Sequence, residues 1–368
     1  MHIGIDGRFT QGPNTGVTNY LLNLLKSLSR VDTRNTYSIF LSNPNYDGRI
    51  PDTVNFRVKV NTVNAFMWKN AWLPKEVKKE KIDVVHFPAY TGSFVNLGPN
   101  VVTIHDLIHK VNPSWFSYRE LMLIDFPIKL AIKKAMKIIA VSESTKRDII
   151  KFYNVKEDKI VVTLEAADAS FEPTRDLAKL DYIKKKYAIG CDYILYVGVL
   201  FKRRNIDRLL EAFSLLKRKQ HVKHKLVLVG PGKEYFHLNN YIEKYGIKDE
   251  VIYLGYVEQD DLPLLYNASS FFVYPSLYEG FGLPVLEGMA CGKAVITSNV
   301  SSLPEVIGDT GLLIDPYDVE ELCDAMYRLC QDDDLKENLG RRALERSKIF
   351  SWDKMARETL AVYKEFDI

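Results

Sequence analysis

Tyr274-Pro-Ser-Leu-Tyr-Glu-Gly-Phe-Gly-Leu-Pro-Val-Leu-Glu-Gly-Met-Ala-Cys-Gly-Lys293 is the most informative run in this chain of 368 residues. The residues that lead into it, Phe271–Tyr274, have the short apolar pattern of a buried strand. A glycine-bearing loop follows. Pro284 stands where a helix can start, since the N–H it lacks would have no helical partner there. Gly292 suits the residue that closes such a helix. The run therefore presents bare backbone N–H groups at a helix N-terminus, where the dipole favours an anion. Glu279 precedes the helix and Glu287 lies about one turn inside it. Two carboxylates would repel a phosphate at that place unless they face hydroxyls, and a sugar and a ribose supply hydroxyls. A capping glutamate plus a solvated one is the alternative.

Three further segments end a strand with chemistry-bearing residues. Tyr196–Arg208 runs through a Gly198-containing turn into Lys202, Arg203 and Arg204. Cations after a strand's carboxyl end suit a diphosphate, which Arg binds bidentately. A solvated basic run is the alternative. His105 and Asp106 fall where the strand Val101–Ile104 ends. His-Asp-Leu-Ile-His109 resembles a zinc-binding H-E-x-x-H, but that motif needs a helix and this stretch leaves a strand. The first loop, Arg8–Tyr20, carries Gly16 and opens a helix; Gly16 suits close approach of a phosphate or acceptor, or a tight turn. It lacks the Lys-Ser/Thr of a P-loop and the spacing of a dinucleotide fingerprint, and Val229-Gly-Pro-Gly232 lacks a third glycine. These absences speak against an ATPase or an NAD enzyme.

Strand-like and helix-like segments alternate along the whole chain, the pattern of parallel sheets covered by helices. The alternation pauses at Phe171–Asp176, where Pro173 suits a linker, and then restarts. Two doubly wound α/β domains in tandem follow, with ligands at the carboxyl ends of their strands. The segment Glu120–Lys137 is expected as one amphipathic helix facing the core, with Lys129, Lys133 and Lys137 along one side. A basic membrane-surface face is its alternative. Asp332-Asp-Asp334 fits a solvated helix start, and His221 and His224 fit surface positions before a strand.

The composition is that of an ordinary globular chain, with 46% hydrophobic and 26% charged residues. Cys191, Cys291, Cys323 and Cys330 lack the paired spacing of a zinc site and are too few for a disulfide scaffold. The start, MHIGIDGRF, reads as a strand rather than a signal peptide, and no apolar run is long enough to span a bilayer. A cytoplasmic protein is expected. Residues 1–184 carry 26 Lys and Arg against 19 Asp and Glu, and the remaining residues 24 against 28. The halves thus differ in sign, +7 against −4. That suits different partners, although drift in surface composition would give the same numbers.

These segments resemble glycosyltransferase family 4, retaining enzymes of the GT-B fold, over almost the whole chain. The resemblance rests on Glu279 and Glu287 in the E-x7-E motif, on Val-Gly-x-Leu…Arg-Arg-Asn, on Thr-Ile-His-Asp, and on the terminal Phe350-Ser-Trp-Asp353. Within the family the chain is most similar to bacterial mannosyltransferase-type members of polysaccharide pathways. The resemblance implies two Rossmann-like domains facing a central cleft. Residues 1–172 with 351–368 would form an acceptor-binding domain, and residues 173–350 a domain for a nucleotide sugar, GDP-mannose first and UDP-sugars next.

It also implies roles. Glu279, His105, Arg203 and Arg204 would be catalytic. Glu279 would meet donor-sugar hydroxyls, the arginines the diphosphate, and His105 the sugar. Glu287 would hold the ribose, and Gly280, Phe281, Gly282 and Leu283 would offer backbone N–H groups. Val257 would lie at the base, Gly198 at the donor turn, and Gly16 and Asp106 on the acceptor side. Many relatives have Gly-Ile-Gly-Arg-Tyr where this chain has Gly16-Val-Thr-Asn-Tyr20. No metal or other cofactor is implied. The expected acceptor is a glycan or a lipid-linked glycan, with peripheral attachment to an anionic membrane at the inner face of the cell, and nucleic acid is not an expected partner. The alternatives are a glycoside hydrolase, a GT-B epimerase or phosphorylase, and a non-catalytic nucleotide-sugar-binding protein.

Overall fold

The computed structural model describes residues 1–12, 15–46, 48–220, 222–232 and 237–367. His221 lies outside these residues. The chain forms two compact units, Met1–Glu165 with Ser351–Ile368, and Ala166–Phe350.

Among the described residues, the first unit is built on seven parallel strands: β1 (His2–Asp6), β2 (Thr36–Leu41), β3 (Phe56–Val60), β4 (Val84–Phe87), β5 (Asn100–Ile104), β6 (Lys137–Ala140) and β7 (Ile160–Val162). Their order in the sheet is β3-β2-β1-β4-β5-β6-β7. Apart from the first residues of β1 and β5, the central strands are buried, as expected for a sheet covered on both faces. The C-terminal helix Trp352–Lys364 belongs to this unit. It packs on the helix Gly16–Val31, with Trp352 edge-on to Tyr20 at 6.4 Å and Arg30 bonded to Asp353 at 2.5 Å. Tyr363 reaches the sheet through a buried chain: its hydroxyl lies 2.6 Å from His86 Nδ1, and His86 Nε2 lies 2.8 Å from Thr103 Oγ1. Burial pushes the His86 pKa down to about 3, so the ring is neutral and gives one donor and one acceptor to these hydroxyls.

The second unit repeats the plan with β8 (Tyr193–Val197), β9 (Lys225–Val229), β10 (Val251–Gly255), β11 (Phe271–Tyr274), β12 (Val295–Ser298) and β13 (Leu312–Ile314). The order is β10-β9-β8-β11-β12-β13, again parallel. In both units the chain winds outward on one side of the first strand and then on the other. The reversal falls between β1 and β4 in the first unit and between β8 and β11 in the second. Such switch points open crevices at the carboxyl ends of strands.

Three details differ from the sequence reading. The boundary lies at Glu165, seven residues before the expected one, because the segment up to Pro173 is fastened to the second unit. Phe171 packs against Tyr266, and the Asn267 side chain bonds both the Glu172 carbonyl and the Thr174 amide. The helix expected over Glu120–Lys137 runs Tyr118–Lys134, opened by a capping box between Ser117 and Glu120, so Lys137 starts β6 instead. The core-facing reading of that helix holds for Ile128, Ala131 and Ile132, whereas Met122, Leu123 and Phe126 are exposed.

Candidate functional site

At the switch point of the second unit, two loops are bolted together. The turn after β8 forms a short 3-10 segment, Lys202–Arg204, and the Arg203 carbonyl accepts the Leu277 amide at 2.8 Å. The Ser276 hydroxyl lies 3.1 Å from the same carbonyl. These bonds tie Arg203 and Arg204 to the loop after β11. Asn205, in the left-handed conformation, ends the turn and bonds the Pro316 carbonyl at 2.6 Å.

Glu279 is buried in that loop. Arg204 forms an ion pair with its carboxylate and also donates to the Tyr274 hydroxyl. The hydroxyls of Tyr274 and Ser276 lie 3.1 and 2.6 Å from Glu279 Oε1. The loop backbone is pinned from the next crossover: the Glu279 amide donates to Ser301 Oγ at 3.0 Å, and Ser302 Oγ donates to the Phe281 carbonyl at 2.6 Å. Gly282 then takes φ +111°, a region that favours glycine, and caps the helix Leu283–Ala290. Gly282, the N-cap, has no side chain with which to cap this helix, and Pro284 occupies its first turn. Gly292 follows its end with φ +70°.

Glu287 is half-buried inside the same helix, and Tyr266 Oη lies 3.0 Å from its Oε2. Burial raises its pKa to about 7, the Tyr266 bond opposing and the charge of Asp168 reinforcing the shift. Glu279 and Glu287 thus have separate partners. Gly198 and Gly230 bring β8 and β9 to the same edge. Gly198 donates to the Val229 carbonyl at 2.9 Å, and a Cβ on Gly230 would stand 2.2 Å from the Gly198 carbonyl oxygen. Val257 is buried just after β10. The expected donor residues therefore gather at the carboxyl edge of one sheet.

In the first unit, His105 is buried at the end of β5 between the rings of Tyr20 and Tyr90. Its Nε2 donates to the Pro88 carbonyl at 2.8 Å, and its Nδ1 lies 3.3 Å from Glu165 Oε1. Both ring nitrogens are therefore engaged by protein. Asp106 turns back to accept the Ile108 amide at 3.2 Å. His109 belongs to a different network, with Asp125 and Tyr153, so the two histidines of the zinc-like string do not converge. Among the described residues, no group of three or more His, Cys, Asp or Glu is arranged to hold a metal ion. Gly16 heads its helix behind the Thr15 cap, and a Cβ there would meet nothing within 4 Å. The local backbone does not require a glycine at this position, which removes the tight-turn reading.

Several partners of these residues carry no mark in the sequence. Glu165 and Tyr266 lie far along the chain from the residues they hold, and nothing local marks them. Tyr274 and Ser276 stand inside the quoted run, and their hydroxyls were a readable signal beside Glu279. At the switch point of the first unit, Arg8 pairs with buried Asp6 at 2.7 Å and stacks over Trp68 at 4.1 Å. Lys69 lies in the same electrostatic neighbourhood; burial, with the charge of Arg8, lowers its pKa.

The comparisons with known proteins agree with this architecture. Residues 14–170 match the family model described as Glycosyltransferase Family 4, and residues 183–346 match Glycosyl transferases group 1. The O-antigen chain mannosyltransferase B of Escherichia coli is 37% identical over 265 residues, which cover 72% of this chain and 70% of that protein. The serotype-specific mannosyltransferase WbdA of Escherichia coli is 33% identical over 262 residues, 68% of this chain but 32% of WbdA. The chain thus spans about a third of that relative. The structure of Anabaena Alr3699/HepE in complex with UDP and glucose superposes with a TM-score of 0.77 at 17% identity, covering 99% of this chain and 100% of that one. These similarities lend no support to an epimerase, a phosphorylase or a non-catalytic binding protein. With two Rossmann-like parallel-sheet units of the GT-B fold and family matches along both, the chain is a glycosyltransferase and belongs to glycosyltransferase family 4.

Proposed function

We propose that this glycosyltransferase moves mannose from GDP-mannose to a glycan or lipid-linked glycan in surface-polysaccharide synthesis, with retention at the anomeric carbon. The observation that carries the reading is the joint formed by Arg204 and Glu279 beside the N-terminus of a helix capped by glycine. It puts a cation and a helix N-terminus next to a buried carboxylate. A nucleotide-diphosphate sugar has the complementary order, an anion beside hydroxyls. The mannosyltransferase names of the relatives supply the sugar, and GDP-mannose is the donor form of it.

Arg203, Arg204 and the amides of Gly280, Phe281, Gly282 and Leu283 neutralise the diphosphate. Glu279 accepts from the sugar hydroxyls and Glu287 from the ribose; Val257 and Gly198 line the nucleotide side. The bond from C1 to the diphosphate oxygen breaks, and its electron pair leaves with the nucleotide. The acceptor oxygen bonds to C1 on the same face, and its proton passes to the departing phosphate oxygen. Charge grows on the diphosphate during this step, so fixed donors facing it lower the barrier. The scheme uses no protein nucleophile and no metal. His105, held by the Pro88 carbonyl and Glu165, lies against the sugar, and Asp106 and Gly16 stand on the acceptor side.

The first unit carries 26 Lys and Arg against 19 Asp and Glu, a net +7, which suits an acceptor at an anionic membrane surface. No helix among the described residues is long and apolar enough to cross a membrane.

Thermal stabilisation by a panel of nucleotide sugars tests the donor. A ligand that binds the folded state raises the melting temperature by mass action. GDP-mannose should give the largest rise, and Arg204→Ala should lose most of it. A larger rise with a UDP-sugar would overturn the choice of base, and an unchanged rise in Arg204→Ala would overturn the diphosphate role.

A further inference from the structure

Four rings of the second unit stack into a column. Tyr266 lies 5.0 Å from Phe272, Phe272 5.8 Å from Tyr274, and Tyr274 5.7 Å from Tyr196, the last two pairs nearly parallel. The column carries three hydroxyls. That of Tyr266 meets Glu287 and the Pro284 carbonyl, and that of Tyr274 meets Glu279 and Arg204. The Tyr196 hydroxyl is fully buried and has no hydrogen-bond partner among the described residues. A buried donor without an acceptor is destabilising and rare in folded chains. Its position shows what it can meet. A Cβ on Gly198 would stand 2.9 Å from the Tyr196 hydroxyl oxygen and 3.5 Å from the Tyr274 ring. The hydroxyl thus lies directly behind Gly198, a half-buried residue at the head of the turn that carries Arg203 and Arg204. Glycine at such a place lets a ligand approach the bare backbone. Burial pushes the Tyr196 pKa up, Arg204 opposing and Glu279 reinforcing, so the hydroxyl keeps its proton and stays a donor.

We propose that Tyr196 is a further donor-binding residue, whose hydroxyl donates to a phosphate oxygen of the nucleotide diphosphate. The inference rests on the proposed reading of this sheet edge as the donor site. Charge selects the acceptor: the fields of Arg203 and Arg204 both reach the hydroxyl, and an anion that joins them there is favoured over a neutral group. The turn at Gly198 shifts to admit the phosphate, and no side chain at that position obstructs it. The bond is absent from the free chain and forms only with ligand. A donor held ready in this way needs no reorganisation when the diphosphate arrives. Removing the hydroxyl therefore acts with opposite signs on the free chain and on the complex, which no purely structural role would do.

Tyr196→Phe removes the oxygen and keeps the ring. Thermal melts of the ligand-free proteins, and calorimetric titration of wild type and Tyr196→Phe with GDP, GDP-mannose, UDP and UDP-glucose, test the role. Ligand-free Tyr196→Phe should melt at or above the wild-type temperature, because it loses an unpaired buried hydroxyl. Its affinity for GDP and for GDP-mannose should fall by the same factor, about tenfold or more. The role is wrong if ligand-free Tyr196→Phe melts below wild type, the sign of a hydroxyl already bonded in the free chain. It is wrong if Tyr196→Phe binds GDP as tightly as wild type does. It is also wrong if affinity falls for GDP-mannose alone, which would put the sugar and not the diphosphate at the hydroxyl. Should wild type bind the two UDP ligands instead, the choice of base falls, and an equal loss on both in Tyr196→Phe supports the role. Wild type that binds none of the four overturns the donor reading, and the role of Tyr196 falls with it.

Discussion

Arg204 and Glu279 hold each other, and each is also held by the Tyr274 hydroxyl. Fixed partners of this kind keep charged groups from reorganising when a substrate charge changes, which is the physical basis of electrostatic preorganisation. Glu287 differs, because burial raises its pKa to about 7 and not a neighbouring cation. Its carboxyl binds a proton more readily in the folded chain than in the unfolded one. The stability it contributes is therefore fully present below the ordinary carboxylate range, and is lost as pH rises through about 7. Ribose binding, as proposed for Glu287, would have the opposite sign, since it would use the ionised carboxylate as acceptor. Between pH 7.5 and 5.5, GDP-mannose affinity should fall while the melting temperature gains a contribution that Glu287→Gln lacks. Calorimetric titration and thermal melts of both proteins over that range check the pair. Parallel pH profiles for wild type and Glu287→Gln would show that Glu287 does not face the ribose.

At the scale of elements, strands and crossovers were legible because buried parallel strands leave short β-branched and aromatic runs. Pro284 and Gly292 punctuate their helix for steric reasons that any sequence shows. Other features needed three dimensions. The linker around Pro173 looked like a boundary because its composition is polar, yet Asn267 and Tyr266 fasten it to the second unit. The end of the helix Tyr118–Lys134 was blurred because Met136 and Lys137 continue an apolar-basic pattern into β6. The bond from Tyr363 to His86 joins positions 277 residues apart, beyond the reach of any local pattern. Tyr363→Phe removes one hydroxyl and leaves a buried imidazole nitrogen without its partner, which costs about 1–3 kcal/mol. Denaturant unfolding should show that loss with nucleotide affinity unchanged. Unchanged stability would mean that the return helix is held by packing alone.

Over the whole molecule, the asymmetry of charge acquires a location. The first unit is the basic one, and its helix Tyr118–Lys134 leaves Met122, Leu123 and Phe126 exposed. The candidate donor site was largely legible, because Glu279, Glu287, Arg203 and Arg204 lie in two short runs that each follow a strand. Their partners were less so: Glu165, Tyr266, Ser301 and Ser302 reach the functional residues from other loops. In the proposed reading the activity turns on Glu279. Mannose transfer from GDP-mannose to a glycan acceptor, followed by NMR of the new linkage in wild type and Glu279→Gln, measures it directly. Wild type should give the α-linked product, the donor's own configuration, and Glu279→Gln should be slower by about 100-fold or more. A β-linked product, or undiminished transfer by Glu279→Gln, would contradict the assignment.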